Sequence, residues 1–163
     1  MAQVLVVDDD PLIGKTLLDL LSLHGFPAIR AESGERGIEE LSTGGFDLVL
    51  LDLRLPGMSG FETCSRIREL HGPHLPVIMM TAFGDPVAVR RGYEAGADDF
   101  LHKPIDTPAL ILKVRAFQAH GSKATAFGGG RLLGCQYPAH DFGHYQLPIA
   151  VKPACSHFLN GLD

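Results

Sequence analysis

No apolar run in this chain approaches the roughly 20 residues that a membrane-spanning helix needs. No basic region with a cleavage site opens it either, so neither a span nor a signal peptide is expected and the cytoplasm is the default location. Basic charge is scarce: 14 Lys and Arg stand against 19 Asp and Glu, for a formal net charge of −5. That balance gives nucleic acid and anionic membrane surfaces no general attraction, so direct binding to either is not expected. Cysteine is sparse as well. Cys64, Cys135 and Cys155 are odd in number and widely spaced, which fits neither a disulfide framework nor a zinc pattern. The 8 histidines show no ligand spacing. No Gly-x-Gly-x-x-Gly follows the first apolar run, and the three acids found there would repel a pyrophosphate, which speaks against a dinucleotide site.

What is present is a globular composition, 45% hydrophobic and 20% charged over 163 residues, enough for one domain and a remainder. The central stretch runs from Phe46 to Gly60. Leu48-Val49-Leu50-Leu51 reads as a strand buried on both faces, and it ends at a carboxylate, Asp52. Pro56-Gly57 then turns the chain, and Ser59 with Glu62 has the spacing of a capping box that opens a helix. That helix carries Phe61, Cys64, Ile67 and Leu70 as a core stripe.

The flanking chain repeats the pattern. Val4-Leu5-Val6-Val7 is a first strand, followed by Asp8-Asp9-Asp10 and Pro11. Asp10 reads as a helix cap, with proline at the first helical position. A second strand is expected over residues 26–31, then a helix capped by Ser33. A fourth strand covers residues 75–80 and ends at Thr81-Ala82. Asp85-Pro86 starts another helix. A fifth strand covers residues 97–101 and runs out into His102-Lys103-Pro104, with Asp98 and Asp99 as surface or turn residues before it. Asp106-Thr107-Pro108 opens a last helix. Regular alternation with short connections predicts an α/β fold, a doubly wound five-stranded parallel sheet with helices on both faces. Beyond residue 120 a Gly128-Gly129-Gly130 run, scattered prolines and no clear period predict a poorly structured extension. It lacks the amphipathic helices of a helix-turn-helix domain. The division expected is 1–120 and 121–163.

In such a sheet the C-terminal strand ends share one edge. That edge would collect Asp8 and Asp9, Asp52, Thr81 and Lys103. An isolated Asp before a turn is more often a turn cap than a reactive group, but crowded carboxylates repel and resist ionisation. A hard cation such as Mg²⁺ relieves this, and a carboxylate beside it can take a phosphoryl group, with an ammonium and a hydroxyl to meet the phosphoryl oxygens.

With Val6-Val7-Asp8-Asp9, Asp52, Leu55-Pro56-Gly57 and Gly60, Met80-Thr81-Ala82 and Lys103-Pro104 all in order, the chain resembles the receiver domains of bacterial two-component response regulators, over roughly residues 3–119. The resemblance implies a flavodoxin-like strand order 2-1-3-4-5 and a phosphorelay signalling role. It makes Asp52 the phospho-acceptor, and Asp8, Asp9, Asp52 and the backbone carbonyl of Arg54 the Mg²⁺ ligands. Lys103 would contact the phosphoryl group. Thr81 would be the switch hydroxyl and Phe100 the switch aromatic, turning inward on activation. The bond before Pro104 is expected to be cis. The implied partners are a sensor histidine kinase or phosphotransfer protein and a downstream effector or output domain. A homodimer through the face from the fourth to the fifth helix is a further possibility. No dedicated enzyme is implied, only Mg²⁺-dependent self-phosphorylation from phosphodonors and self-dephosphorylation. Taken without the resemblance, Phe100 is an ordinary half-buried aromatic, and Arg90-Arg91 a solvated helix face.

The rival from another class is a small Mg²⁺-dependent aspartyl-phosphate phosphatase of haloacid dehalogenase type, with Asp8 as nucleophile. Against it, Leu12 stands where that family's motif has Thr or Val, and Asp98-Asp99 precedes Lys103 instead of following it.

Overall fold

The computed structural model describes residues 3–82 and 86–121, and the expected extension past α5 lies outside the described residues. Five strands, β1 (Val4–Val7), β2 (Ala28–Ala31), β3 (Leu48–Asp52), β4 (Val77–Ala82) and β5 (Asp99–Lys103), form one parallel sheet in the order β2-β1-β3-β4-β5. The helices are α1 (Pro11–Leu23), α2 (Gly34–Ser42), α3 (Gly60–His71), α4 (Pro86–Ala95) and α5 (Thr107–Gly121), with a short 3₁₀ turn over Gly72–His74. None of the described helices is long and apolar enough to cross a membrane.

Strand alternation divides the core in two. Val4, Val6, Leu48, Leu50, Ile78, Met80 and Leu101 face Leu17 and Leu21 of α1 and Leu110 and Val114 of α5. Leu5, Val7, Val49, Leu51, Val77, Met79 and Phe100 face Leu41 of α2, Cys64 and Ile67 of α3 and Val89 of α4. Because both faces are covered, the strands are continuously apolar and not alternating.

The local signals acted as expected. Asp10 caps α1 by accepting from the amides of Leu12 and Ile13, Ser33 caps α2, and Ser59 with Glu62 forms the complete capping box of α3. The strand bounds moved. β2 begins later than expected because the Phe26 amide closes α1 on Leu21 O. β4 begins after Pro76, and β5 starts at Asp99 because Ala97 N is bonded to Gly92 O at the end of α4. Lys103 is therefore the last residue of β5 itself. Leu70 leaves the expected core stripe and is 55% exposed, since α3 turns its buried face through Thr63, Cys64 and Ile67.

Asp98 and Asp99 are not idle turn residues. Asp98 pairs with Arg68 and accepts the Val77 amide, and Asp99 opens β5 and pairs with Lys113. Arg91 is likewise more than a solvated helix face, because its guanidinium lies 4.5 Å from the centre of the Phe61 ring, joining α4 to α3.

Candidate functional site

The site is built where β1, β3 and β5 end. Asp8 follows β1 and is fully buried, and its Oδ1 accepts the amide of Asp10 at 2.9 Å. Asp52 is the last residue of β3, and the Arg54 amide donates to its Oδ1 at 3.3 Å. From the end of β5, Lys103 Nζ lies 3.0 Å from Asp8 Oδ2 and 3.0 Å from Asp52 Oδ2. Asp9 is exposed, yet it offers an oxygen that lies with oxygens of Asp8 and Asp52 inside one 4.8 Å cluster.

Gly60 explains why α3 can start so close to this point. A Cβ there would collide with the Asp52 carbonyl oxygen and sit 2.7 Å from Leu53 Cα. Gly57, at φ +73°, makes the turn that a side chain would strain. The Glu35 carboxylate accepts the Met58 amide at 3.0 Å and so ties the same loop to α2. Its own amide and that of Met58 hold the Glu35 carboxyl below the usual carboxylate range.

One ammonium meets two of the three clustered carboxylates, and the electrostatics follow. Burial pushes the Asp52 carboxyl up, the contacts with Lys103 oppose this, and the neighbouring charge of Asp8 adds to the rise. Burial pulls Lys103 down, but its hydrogen bonds to Asp8 and Asp52 and their charges outweigh it, so its ammonium is held above the ordinary lysine value. An oxygen-only donor set with uncompensated negative charge suits a hard divalent cation.

Thr81, 4% exposed, lies one residue beyond the Asp52–Met80 register pair on the same edge. Strand alternation puts it in phase with Met79 and not with Asp52. Its hydroxyl donates to the Ala82 carbonyl at 3.4 Å. Phe100 shares that phase. It is 6% exposed, not half-buried, and packs edge-on against Tyr93 with ring centres 4.9 Å apart, so it already points inward. The structure thus gathers Asp8, Asp9, Asp52 and Lys103 into one cluster. Phe100 packs in the core on the α3–α4 side of the sheet. The Lys103–Pro104 bond is cis.

A model of the response regulator receiver domain matches residues 4–115. The chain belongs to the response regulator receiver family.

Relatives of this receiver include the transcriptional regulatory protein ResD of Bacillus subtilis, 36% identical over 125 residues, which are 77% of this chain and 51% of ResD. The DNA-binding response regulator MtrA of Mycolicibacterium smegmatis is 40% identical over 114 residues, 70% of this chain and 49% of MtrA. The chain therefore spans about half the length of these curated relatives. Among solved structures, a CheY-like receiver domain protein from Methanospirillum hungatei superposes with a TM-score of 0.71 at 27% identity, over 76% of this chain and 98% of the other. The phosphatase alternative finds no support in these matches.

Two residues of the receiver's site escape a reading of the sequence. Glu35 is one. The other is Arg30 of β2, whose Nε and Nη2 donate to the carbonyls of Asp8 and Asp9 at 3.1 and 3.0 Å. Both reach across more than twenty residues of chain to bond backbone atoms, and no local motif marks such a contact.

Proposed function

We propose that Asp52 is the phospho-acceptor of this receiver, with Mg²⁺ held by carboxylate oxygens of Asp8, Asp9 and Asp52 and by the carbonyl of Arg54. The supporting observation is the cluster itself: a buried carboxylate at the end of the central strand, 3.0 Å from Lys103 and within 4.8 Å of two further carboxylates. A carboxylate oxygen of Asp52 attacks the phosphorus of a phosphohistidine. A P–O bond forms as the P–N bond breaks, and the imidazole leaves with the electron pair and takes a proton from solvent. In the return step water attacks the phosphorus, the P–O bond to Asp52 breaks, and inorganic phosphate and the carboxylate are released. Lys103 meets the charge on the phosphoryl oxygens. The bound cation supplies the charge that lets carboxylates and phosphoryl oxygens crowd together. Thr81 is the switch hydroxyl, and Phe100 the aromatic whose packing registers the change.

The donor is a sensor histidine kinase or phosphotransfer protein. The reader is an effector or output domain of the kind that the curated relatives' length and MtrA's DNA-binding description suggest. A receiver unit over residues 1–120 and a homodimer through the α4–α5 face are part of the same proposal. Val87 and Tyr93 of α4 and Leu112 of α5 are exposed apolar side chains on the two helices concerned.

Intact-mass analysis after incubation with Mg²⁺ and acetyl phosphate, beside Asp52→Asn, tests the acceptor. A single phosphoryl adduct that requires Mg²⁺ and disappears in Asp52→Asn is expected. An adduct that persists in Asp52→Asn moves the acceptor elsewhere.

A further inference from the structure

Gly14 is buried at the end of the first turn of α1, where glycine is a poorer helix former than alanine. The reason for it is Arg30. A Cβ on Gly14 would collide with Arg30 Cδ and Nε, so the arginine stem crosses α1 through the space that glycine leaves. Beyond that gap the guanidinium donates to two consecutive carbonyls, Asp8 O through Nε and Asp9 O through Nη2. A planar fork with two donors at fixed separation pins the peptide between these residues in a way one ammonium does not. With the Asp8 and Asp9 carbonyls turned toward Arg30, the loop that follows β1 is held in the orientation that brings both carboxylates to Asp52.

We infer that Arg30, seated over Gly14, is a positioning residue for the cation site: it sets the Asp8-Asp9 loop by its backbone and touches neither carboxylate. This rests on the proposal that Asp8, Asp9 and Asp52 bind Mg²⁺. Positioning and plain electrostatics predict opposite signs. Arg30 is a cation near a divalent-cation site, so by charge alone its removal tightens Mg²⁺ binding. If it positions the loop, its removal weakens binding, by about tenfold as for other residues that orient metal ligands.

The test is a Mg²⁺ titration of the full chain, followed by the amide chemical shifts of residues 8–10, in wild type, Arg30→Met, Arg30→Lys and Gly14→Ala. The expected result is weaker Mg²⁺ binding in all three variants. Arg30→Lys keeps the charge and loses the fork. Gly14→Ala keeps the arginine and its charge, and urea unfolding run beside the titration separates a loss of Mg²⁺ affinity from a loss of fold. Gly14→Ala added to Arg30→Met should cost nothing further, because both remove the same contact. Unchanged or tighter binding in Arg30→Met, with wild type binding Mg²⁺ normally, overturns the inference and leaves the site intact. Failure of wild type itself to bind Mg²⁺ overturns the site and the inference with it.

Discussion

Helix α3 joins two ionic clusters at opposite edges of the sheet. At the amino-terminal edge, Arg68 donates to the carbonyls of Gly96, Gly72 and Leu75 and to the Asp98 carboxylate, which accepts the Val77 amide in turn. One positive charge meets one negative charge, and the remaining donors find backbone acceptors. At the carboxyl-terminal edge a single ammonium, Lys103, serves two buried carboxylates while a third stands within reach. The first cluster is complete and locks the entry to β4 and β5. The second is left short of positive charge, a shortfall that a hard divalent cation would relieve. Balanced polar networks hold folds together, and unbalanced ones are held together by the fold.

The largest effect is expected at the balanced cluster. Arg68→Ala strands several part-buried acceptors and the Asp98 charge, and should cost about 3 kcal/mol in urea unfolding. Mg²⁺ affinity should stay as in wild type. A loss under about 1 kcal/mol would mean the cluster is ornamental by the ordinary standard for surface pairs.

At the other edge the sign should reverse. The folded-state pKa of Asp52 is raised, chiefly by burial, so its ionised form is less favoured in the fold than in the unfolded chain. Wild-type stability therefore falls as pH rises from the ordinary aspartate value through the raised one, and the penalty is complete above it. Asp52→Asn should raise the urea midpoint at pH 7. The gain should vanish at a pH below the ordinary aspartate range and shrink when Mg²⁺ is added to both proteins. A lower midpoint for Asp52→Asn at pH 7 would show that the Lys103 contact outweighs burial.

Smaller effects sharpen the contrast along α3 itself. Ser59 caps the helix beside the Asp52 loop, and Ser59→Ala should cost about 1 kcal/mol. Unlike Arg68→Ala, it should also loosen the Asp52 loop, read as faster amide exchange over residues 53–58. Glu62 completes the capping box, and the Ser59 amide and hydroxyl hold its carboxyl below the ordinary glutamate range. Its contribution is present above the ordinary value and lost as pH falls through the lowered one. In Glu62→Gln that acid-limb loss in α3 amide protection should be absent, and an unchanged pH profile would show that the charge is not what matters.

Much of this was legible because it is local. A continuous apolar run marks a buried parallel strand, and Asp10, Ser33 and Ser59 mark helix starts within three residues of the groups they bond. The strand ends then deliver Asp8, Asp52, Thr81 and Lys103 to one edge, because parallel strands all end on the same side. Asp98 does lie exposed before β5, as expected, but its pairing could not be read for the opposite reason: its partner Arg68 is thirty residues away, and nothing near either residue announces the other.

The residue order alone therefore determined the alternating α/β fold, the helix caps and the set of acids that end the strands. It did so because period, proline and capping act over a few residues. Tertiary structure decided which side chains meet: Lys103 bridging to Asp8 across 95 residues, Arg30 passing over Gly14 to the Asp8-Asp9 carbonyls, and Phe100 turned inward against Tyr93. Those contacts depend on register and on the space left between packed elements, and both exist only once the sheet has formed.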